Sequence, residues 1–107
     1  MAEYTDPLEA CGGFEWDEAN AHKNRERHQV SPEEAEDAFF NEPLAVRSDV
    51  RHSKREKRYY ALGQTGVGRY LFIAFTIRSS RLRVISVRDM NRKERDAYAK
   101  HEKESGA

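Results

Sequence analysis

Hydrophobic positions change their spacing near residue 44: before it they fall mostly at helical intervals, and after it they alternate with polar ones. Phe14-Glu15-Trp16 runs apolar, polar, apolar and reads as one brief strand. Asp17 is a good helix cap, and Glu18 to His28 follow as a helix. Its apolar face is thin, with only Ala19 and Ala21, so it needs tertiary contacts to persist. The next start signal is stronger. Ser31-Pro32-Glu33-Glu34 supplies a Ser cap, a Pro at the first helical position and a Glu three residues after the cap. Ala35, Ala38 and Phe39 then recur at helical spacing, and Asn41-Glu42-Pro43 stops the helix. Trp16, Phe39 and Phe40 are expected in the core.

From Leu44 the texture is that of strands. Leu44 to Ser48 forms a short one, and Arg58 to Gln64 a second, ended by the glycine-type turn Thr65-Gly66-Val67-Gly68. Tyr70 to Arg78, rich in aromatic and β-branched residues, is the strongest strand of the chain. Ser79-Ser80 breaks it, and Leu82 to Arg88 returns. Asn91 with Glu94 repeats the cap-plus-glutamate signal and opens a last helix reaching about Glu104. The order predicts an α+β domain: N-terminal helices packed on an antiparallel β-sheet meander, then a C-terminal helix. Residues 1–13, ending in Gly12-Gly13, read as a loose N-terminal extension, and 14–104 as the single domain.

Composition narrows the class. Charged residues make up 36% and hydrophobic ones 37% of the 107, a polar but foldable mixture. No stretch approaches the apolar length of a membrane span, the acidic start is unlike a signal peptide, and the single cysteine, Cys11, suits a reducing cytoplasm. The net charge of zero hides an asymmetry. Residues 1–42 carry twelve acids against three bases, and residues 43–107 carry sixteen bases against seven acids. The front half is thus at −9 and the back half at +9. The basic half could attract a phosphate backbone, or simply neutralise the acidic half across the fold. No His, Cys, Asp or Glu set has ligand spacing for zinc, so neither a metal nor another cofactor is expected.

Three segments form one ordered pattern. The first is Phe14-Glu15-Trp16-Asp17 with Asn24, Arg27-His28, Val30, Ser31 and Glu34-Ala35. The second is Asp49-Val50-Arg51-His52 with Glu56, Arg58-Tyr59 and Leu62-Gly63. The third is Thr76-Ile77-Arg78, then Arg83 to Arg88, then Glu94-Arg95 and Tyr98. Together they resemble the BrnT toxin family. Asn20, where the family usually has a lysine, and Val87, where it usually has an alanine, depart from the pattern. The resemblance implies a RelE-like fold and a type II toxin: an endoribonuclease, metal-independent, that inhibits translation. It implies as partner a BrnA-type ribbon-helix-helix antitoxin, through which alone DNA is contacted.

Cleaving RNA without a metal takes a base for the 2′-hydroxyl, an acid for the leaving 5′-oxygen, and cations around the phosphorus oxygens. Arginine suits the last role because its planar fork holds two phosphate oxygens. In the strand 70–78, Leu71, Ile73, Phe75 and Ile77 share the core face, which leaves Thr76 and Arg78 on the other. The next strand is ambiguous. A two-residue turn at Ser79-Ser80 puts Arg81 and Arg83 beside Arg78, whereas a three-residue loop puts Leu82, Val84, Ser86 and Arg88 there. Burying Ile85 and Val87 beside Phe75 and Ile73 favours the second. The expected site is therefore a sheet surface lined by Arg58, Arg78 and Arg88 with Thr76 and Ser86. Arg51, His52 and Arg83 are further RNA-binding candidates. Glu56, His52 and His28 stand as acid or base, with Tyr59, Tyr60 and Tyr98 behind them, and the choice stays open. The rival reading is a non-catalytic basic module that binds nucleic acid or an acidic partner protein.

Overall fold

The computed structural model describes residues 7–9, 11–52 and 55–105. Its elements, in order, are β1 (Phe14–Glu15), α1 (Glu18–His28), α2 (Pro32–Phe39), β2 (Ala45–Ser48), a 3-10 turn (Val50–His52), β3 (Arg58–Gln64), β4 (Tyr70–Arg78), β5 (Arg81–Asp89) and α3 (Arg92–Ser105). All three helices start where a side chain accepts the first free N–H groups. Asp17 takes those of Ala19 and Asn20 at 2.8 and 3.2 Å. Ser31 with Glu34, and Asn91 with Glu94, bond reciprocally as capping boxes.

Strands β2 to β5 form the antiparallel meander, and β1 adds at its end, giving the order β1-β5-β4-β3-β2. The sheet is mixed rather than purely antiparallel, because β1 runs parallel to β5, pairing Phe14 with Leu82 and Glu15 with Arg83. A parallel neighbour needs a crossover, and α1 to β4 supply it. The segment before β1 already lies along β5: Gly12 N–H donates to Ser80 O at 2.8 Å, and Leu8 and Cys11 pack on the core. The first six residues of the extension read from the sequence lie outside the described residues.

Helices α1 and α2 cover one face of the sheet. Between them and the sheet lie Val30, Ala35, Ala38, Ala61, Leu71, Ile73, Phe75, Leu82, Val84 and Val87. Helix α1 gets its tertiary contact from a polar residue. Past the two β5 residues that pair with β1, Val87 N–H has no strand partner on that side, and the buried Asn24 carbonyl oxygen accepts it at 3.2 Å. Phe39 and Trp16 pack on this core as expected. Phe40 does not: it caps α2, is 77% exposed, and its ring meets the edge of Phe14. The opposite face has a smaller core at one end, where Tyr98 of α3 packs with Ala45, Leu62 and Met90.

Close approach of α2 to β3 depends on Gly63. A Cβ there would sit 2.9 Å from Leu44 Cδ1 and 3.2 Å from the carbonyl oxygen of Ala38. The backbone oxygen cannot swing away as a side chain can. Gly63→Ala is expected to destabilise the fold by about 1–3 kcal/mol, read as a lowered midpoint in thermal unfolding followed by circular dichroism.

Candidate active site on the open face of the sheet

Residues paired across a sheet share a face, so the register decides which arginines meet. Strand β3 pairs Arg58 with Thr76, and β4 pairs Thr76 with Arg83 and Arg78 with Arg81. Glu15 of β1 continues the row beyond Arg83. These residues lie on the face away from α1 and α2, at the end that the α3 core does not reach.

Two backbone features produce this set. The β4–β5 hairpin closes through Ser79 and Ser80, both with positive φ (49° and 62°), a mirror-image two-residue turn. That puts Arg81 and Arg83 beside Arg78. The ladder then slips: Phe75 pairs with Val84 but Ala74 with Ser86, leaving Ile85 as an extra, bulged residue. Past the bulge, Ser86 and Arg88 face the same way as Arg83. From the sequence the two arrangements of β5 exclude each other, and burial of Ile85 and Val87 favours the three-residue loop. The structure has the two-residue turn, and the bulge joins both polar sets on one face, with Leu82, Val84 and Val87 in the core.

Glu56, just before β3, reaches into the cluster. Arg78 Nε donates to Glu56 Oε2 at 2.6 Å and its Nη2 to Oε1 at 3.2 Å, a forked pair. The Arg78 hydrogen bond, against some desolvation and helped by the charges of Arg78, Arg58 and Arg83, holds the Glu56 carboxyl below the usual glutamate range. Arg78 is raised by the same bond, with Glu15 adding to it. The Arg78 side chain stays 51% exposed and that of Glu56 31% exposed, so the pair is reachable from solvent. Arg83 donates to Asp17 Oδ2 at 3.1 Å. Asp17 is lowered chiefly by the N–H groups of Asn20 and Ala19 that it caps, and further by Arg83. Thr76 is buried, its hydroxyl donating to Lys57 O at 2.8 Å, which fixes the strand leading out of the Glu56 segment. Arg81 is exposed at the hairpin tip.

The structure thus brings together Glu56, Arg58, Thr76, Arg78 and Arg83, with Ser86 half-buried two residues along. It does not bring Arg88 or His28 to them. Arg88 is four ladder positions away, roughly 13 Å, across from Phe72. It is held by Glu94 in a two-pronged pair at 2.7 and 2.9 Å and lies 4.2 Å over the Phe72 ring. His28 ends α1 beside Arg69 and Asp89, at the start of β4 rather than its end. Arg51 is exposed in the 3-10 turn, and the side chain of His52 lies outside the described residues. Glu15 and Asp17 are cluster residues unselected from the sequence, and Arg81 enters there only through the two-residue-turn alternative. The signal for Arg81 was the symmetric Arg-Ser-Ser-Arg, but serines seldom occupy both left-handed turn positions.

Arg69, also unselected, organises the far end of the sheet. Its guanidinium donates to Asp89 (2.7 and 3.1 Å), Glu34 (2.9 Å), and the carbonyl oxygens of Gln29 (2.8 Å) and His28 (3.1 Å). One side chain therefore ties the end of α1, the start of α2 and the end of β5 to the β3–β4 hairpin.

The sequence matches the family model of the BrnT ribonuclease toxins of type II toxin-antitoxin systems over residues 16–94. The fold is similar to the crystal structure of the Brucella abortus ribonuclease toxin BrnT, with a TM-score of 0.54 and 20% sequence identity. The match covers 75% of this chain and 97% of that one. Among curated proteins none matches the sequence.

Proposed function

The chain belongs to the BrnT family of type II toxin-antitoxin ribonuclease toxins, and from that premise we propose that it cleaves RNA at the Glu56–Arg78 cluster without a metal ion. The observation that carries this reading is the convergence of Arg58, Arg78 and Arg83, from three neighbouring strands, on one reachable carboxylate. A phosphodiester drawn among the guanidiniums exchanges its hydration for fixed donors, which stabilise the charge that grows on the phosphorus oxygens. Glu56 accepts the 2′-hydroxyl proton. The 2′-oxygen attacks phosphorus, and the 5′-oxygen leaves and takes a proton from water. The products are a 2′,3′-cyclic phosphate and a 5′-hydroxyl. Three guanidiniums carry the role that a divalent cation plays in other nucleases. Cutting messenger RNA in the cytoplasm would inhibit translation.

The family implies an antitoxin partner. A BrnA-type ribbon-helix-helix protein that lays acidic groups over Arg58, Arg78, Arg81 and Arg83 would occupy the phosphate's place, and DNA would be contacted through that partner.

Purified protein, freed of partner, tests the function directly: with excess EDTA it should cut a structured RNA and leave cyclic-phosphate ends. RNA that is retarded on a gel but left intact identifies a non-catalytic binding module instead. The base has its own signature. Because Glu56 ionises below the ordinary glutamate value, cleavage should stay level as pH falls from neutral and drop only once that low value is crossed. Glu56→Gln should cost roughly 10²–10⁴-fold in rate and abolish that acid limb. A wild-type profile that bends near neutral pH instead would assign the base to another group.

A further inference from the structure

Next to the arginine row, on the same face, the side chains change character. The row two residues further along the strands is Arg47–Tyr60–Ala74–Ser86, about 7 Å away. Ala74 and Ser86 are small, which leaves a shallow floor, and Tyr60 stands at its side. The next row brings Phe72 and Arg88. These side chains stack in tiers: the Arg88 guanidinium lies 4.2 Å over Phe72, and Phe72 stacks with Tyr60 at 5.5 Å between centroids and 20° between planes. Glu94 clamps Arg88 from behind with two hydrogen bonds, so the bottom of the stack is fixed.

The stack ends at Tyr60. Among the described residues, the Tyr60 ring has Phe72 as its one ring contact and no cation over it. Phe72 lies on the Leu62 side of Tyr60, so the other face of the tyrosine turns toward Arg58 and Thr76. Tyr60 and Ser86 are half-buried, and Ile85, the bulged residue beside the floor, is half-buried and packs in neither core. An aromatic face thus opens over a small-residue floor about one strand repeat from the cluster of guanidiniums around Glu56.

We propose that this floor is a nucleobase subsite: the base of a nucleotide flanking the scissile phosphate stacks on Tyr60 as the fourth tier, while its phosphate lies among Arg58, Arg78 and Arg83. The inference rests on the reading of the arginine cluster as the cleavage site and adds the substrate class. A base can enter only if it has left its own helix, so the substrate is single-stranded RNA at the cut. A π-face is common to all four bases, so the stack gives affinity with little sequence preference. The Ser86 hydroxyl, at the floor, and the exposed Arg47, paired across from Tyr60, are polar groups placed to meet a base edge.

The test uses the whole protein and a fluorescein-labelled single-stranded hexanucleotide whose 2′-hydroxyls are replaced by hydrogen, which binds but cannot be cut. Tyr60→Ala should weaken its binding about 5- to 100-fold and Tyr60→Phe should leave it within about twofold. On the cleavable RNA, the same alanine change should raise KM more than it lowers kcat. An abasic position beside the scissile phosphate should cost wild-type protein a similar factor and cost Tyr60→Ala nothing further. The wild-type arm of this comparison needs no change to the protein, so the pair of penalties separates base stacking from a packing defect. If Tyr60→Ala, with its fold intact by circular dichroism, binds the oligonucleotide as wild type, or if the abasic penalty is unchanged in it, the subsite is wrong while cleavage at the cluster stands. Loss of cleavage in arginine variants reports on the cluster separately.

Discussion

Replacing Arg58 and Arg78 together by glutamine is expected to lower RNA cleavage by about 10³-fold or more while the protein stays folded. Removing one preorganised donor to a developing oxyanion costs about 10²–10³-fold. Two donors that grip the same phosphate act as a unit, so the double variant should lose less than the product of the single ones. Arg78 sits in a reachable pair with Glu56 and is half-exposed, so the thermal midpoint should move little on its loss. Arg88→Gln should behave differently. It removes the cation from Glu94, whose side chain is only 17% exposed and keeps just the Asn91 N–H among the described residues, and from Phe72, so its first effect is on stability. The measurement is single-turnover cleavage of a labelled RNA, beside thermal unfolding of each variant. Wild-type rates in the Arg58/Arg78 double variant would remove the cluster from the mechanism.

Arg69→Met is expected to produce the largest loss of stability, about 2–4 kcal/mol, or a midpoint lower by about 10 °C or more. The variant keeps the aliphatic stem but leaves two carboxylates and two helix-terminal carbonyl oxygens without their donor. The partial exposure of Asp89, at 62%, keeps the figure below that of a fully buried triad. The pH dependence identifies the cause. The Arg69 hydrogen bond holds Asp89 below its ordinary range, and the Ser31 N–H, followed by Arg69, does the same for Glu34. A depressed carboxylate contributes stability that is fully present above its unfolded pKa and is lost as pH falls toward the folded value. Wild type should therefore lose stability through the carboxylate range more steeply than Arg69→Met, and the two curves should converge in acid. Parallel curves would mean that Arg69 acts by packing alone.

Local chemistry made most of the fold legible. Asp17, Ser31 with Glu34, and Asn91 with Glu94 carry their start signals within four residues, and α1, α2, β3 and β4 have the bounds that the pattern predicts. Two things lay beyond that range. The face of each β5 residue depends on a bulge at Ile85 that no residue type announces, and alternation assumes a regular ladder. The partners of Arg69 are 20 to 41 residues away in the chain, so its importance is a property of the assembled termini. Arg58, Arg78 and Thr76 can be chosen from the sequence because strand parity and the resemblance agree on them, and Glu56 through the resemblance and its carboxylate chemistry. Arg88 also meets both parity and resemblance, and neither says anything of distance along the strand or of the carboxylate six residues on.

The bulge also gives β5 slack. With Ile85 deleted, Val84 and Ser86 would become neighbours opposite Phe75 and Ala74, and no other side chain need change face. A codon gained elsewhere between Arg81 and Asp89 finds no such reserve, because it would turn either arginines into the apolar layer or valines out of it. The strand is therefore asymmetric toward length changes: it can shorten by one at a single place, and it resists growing anywhere.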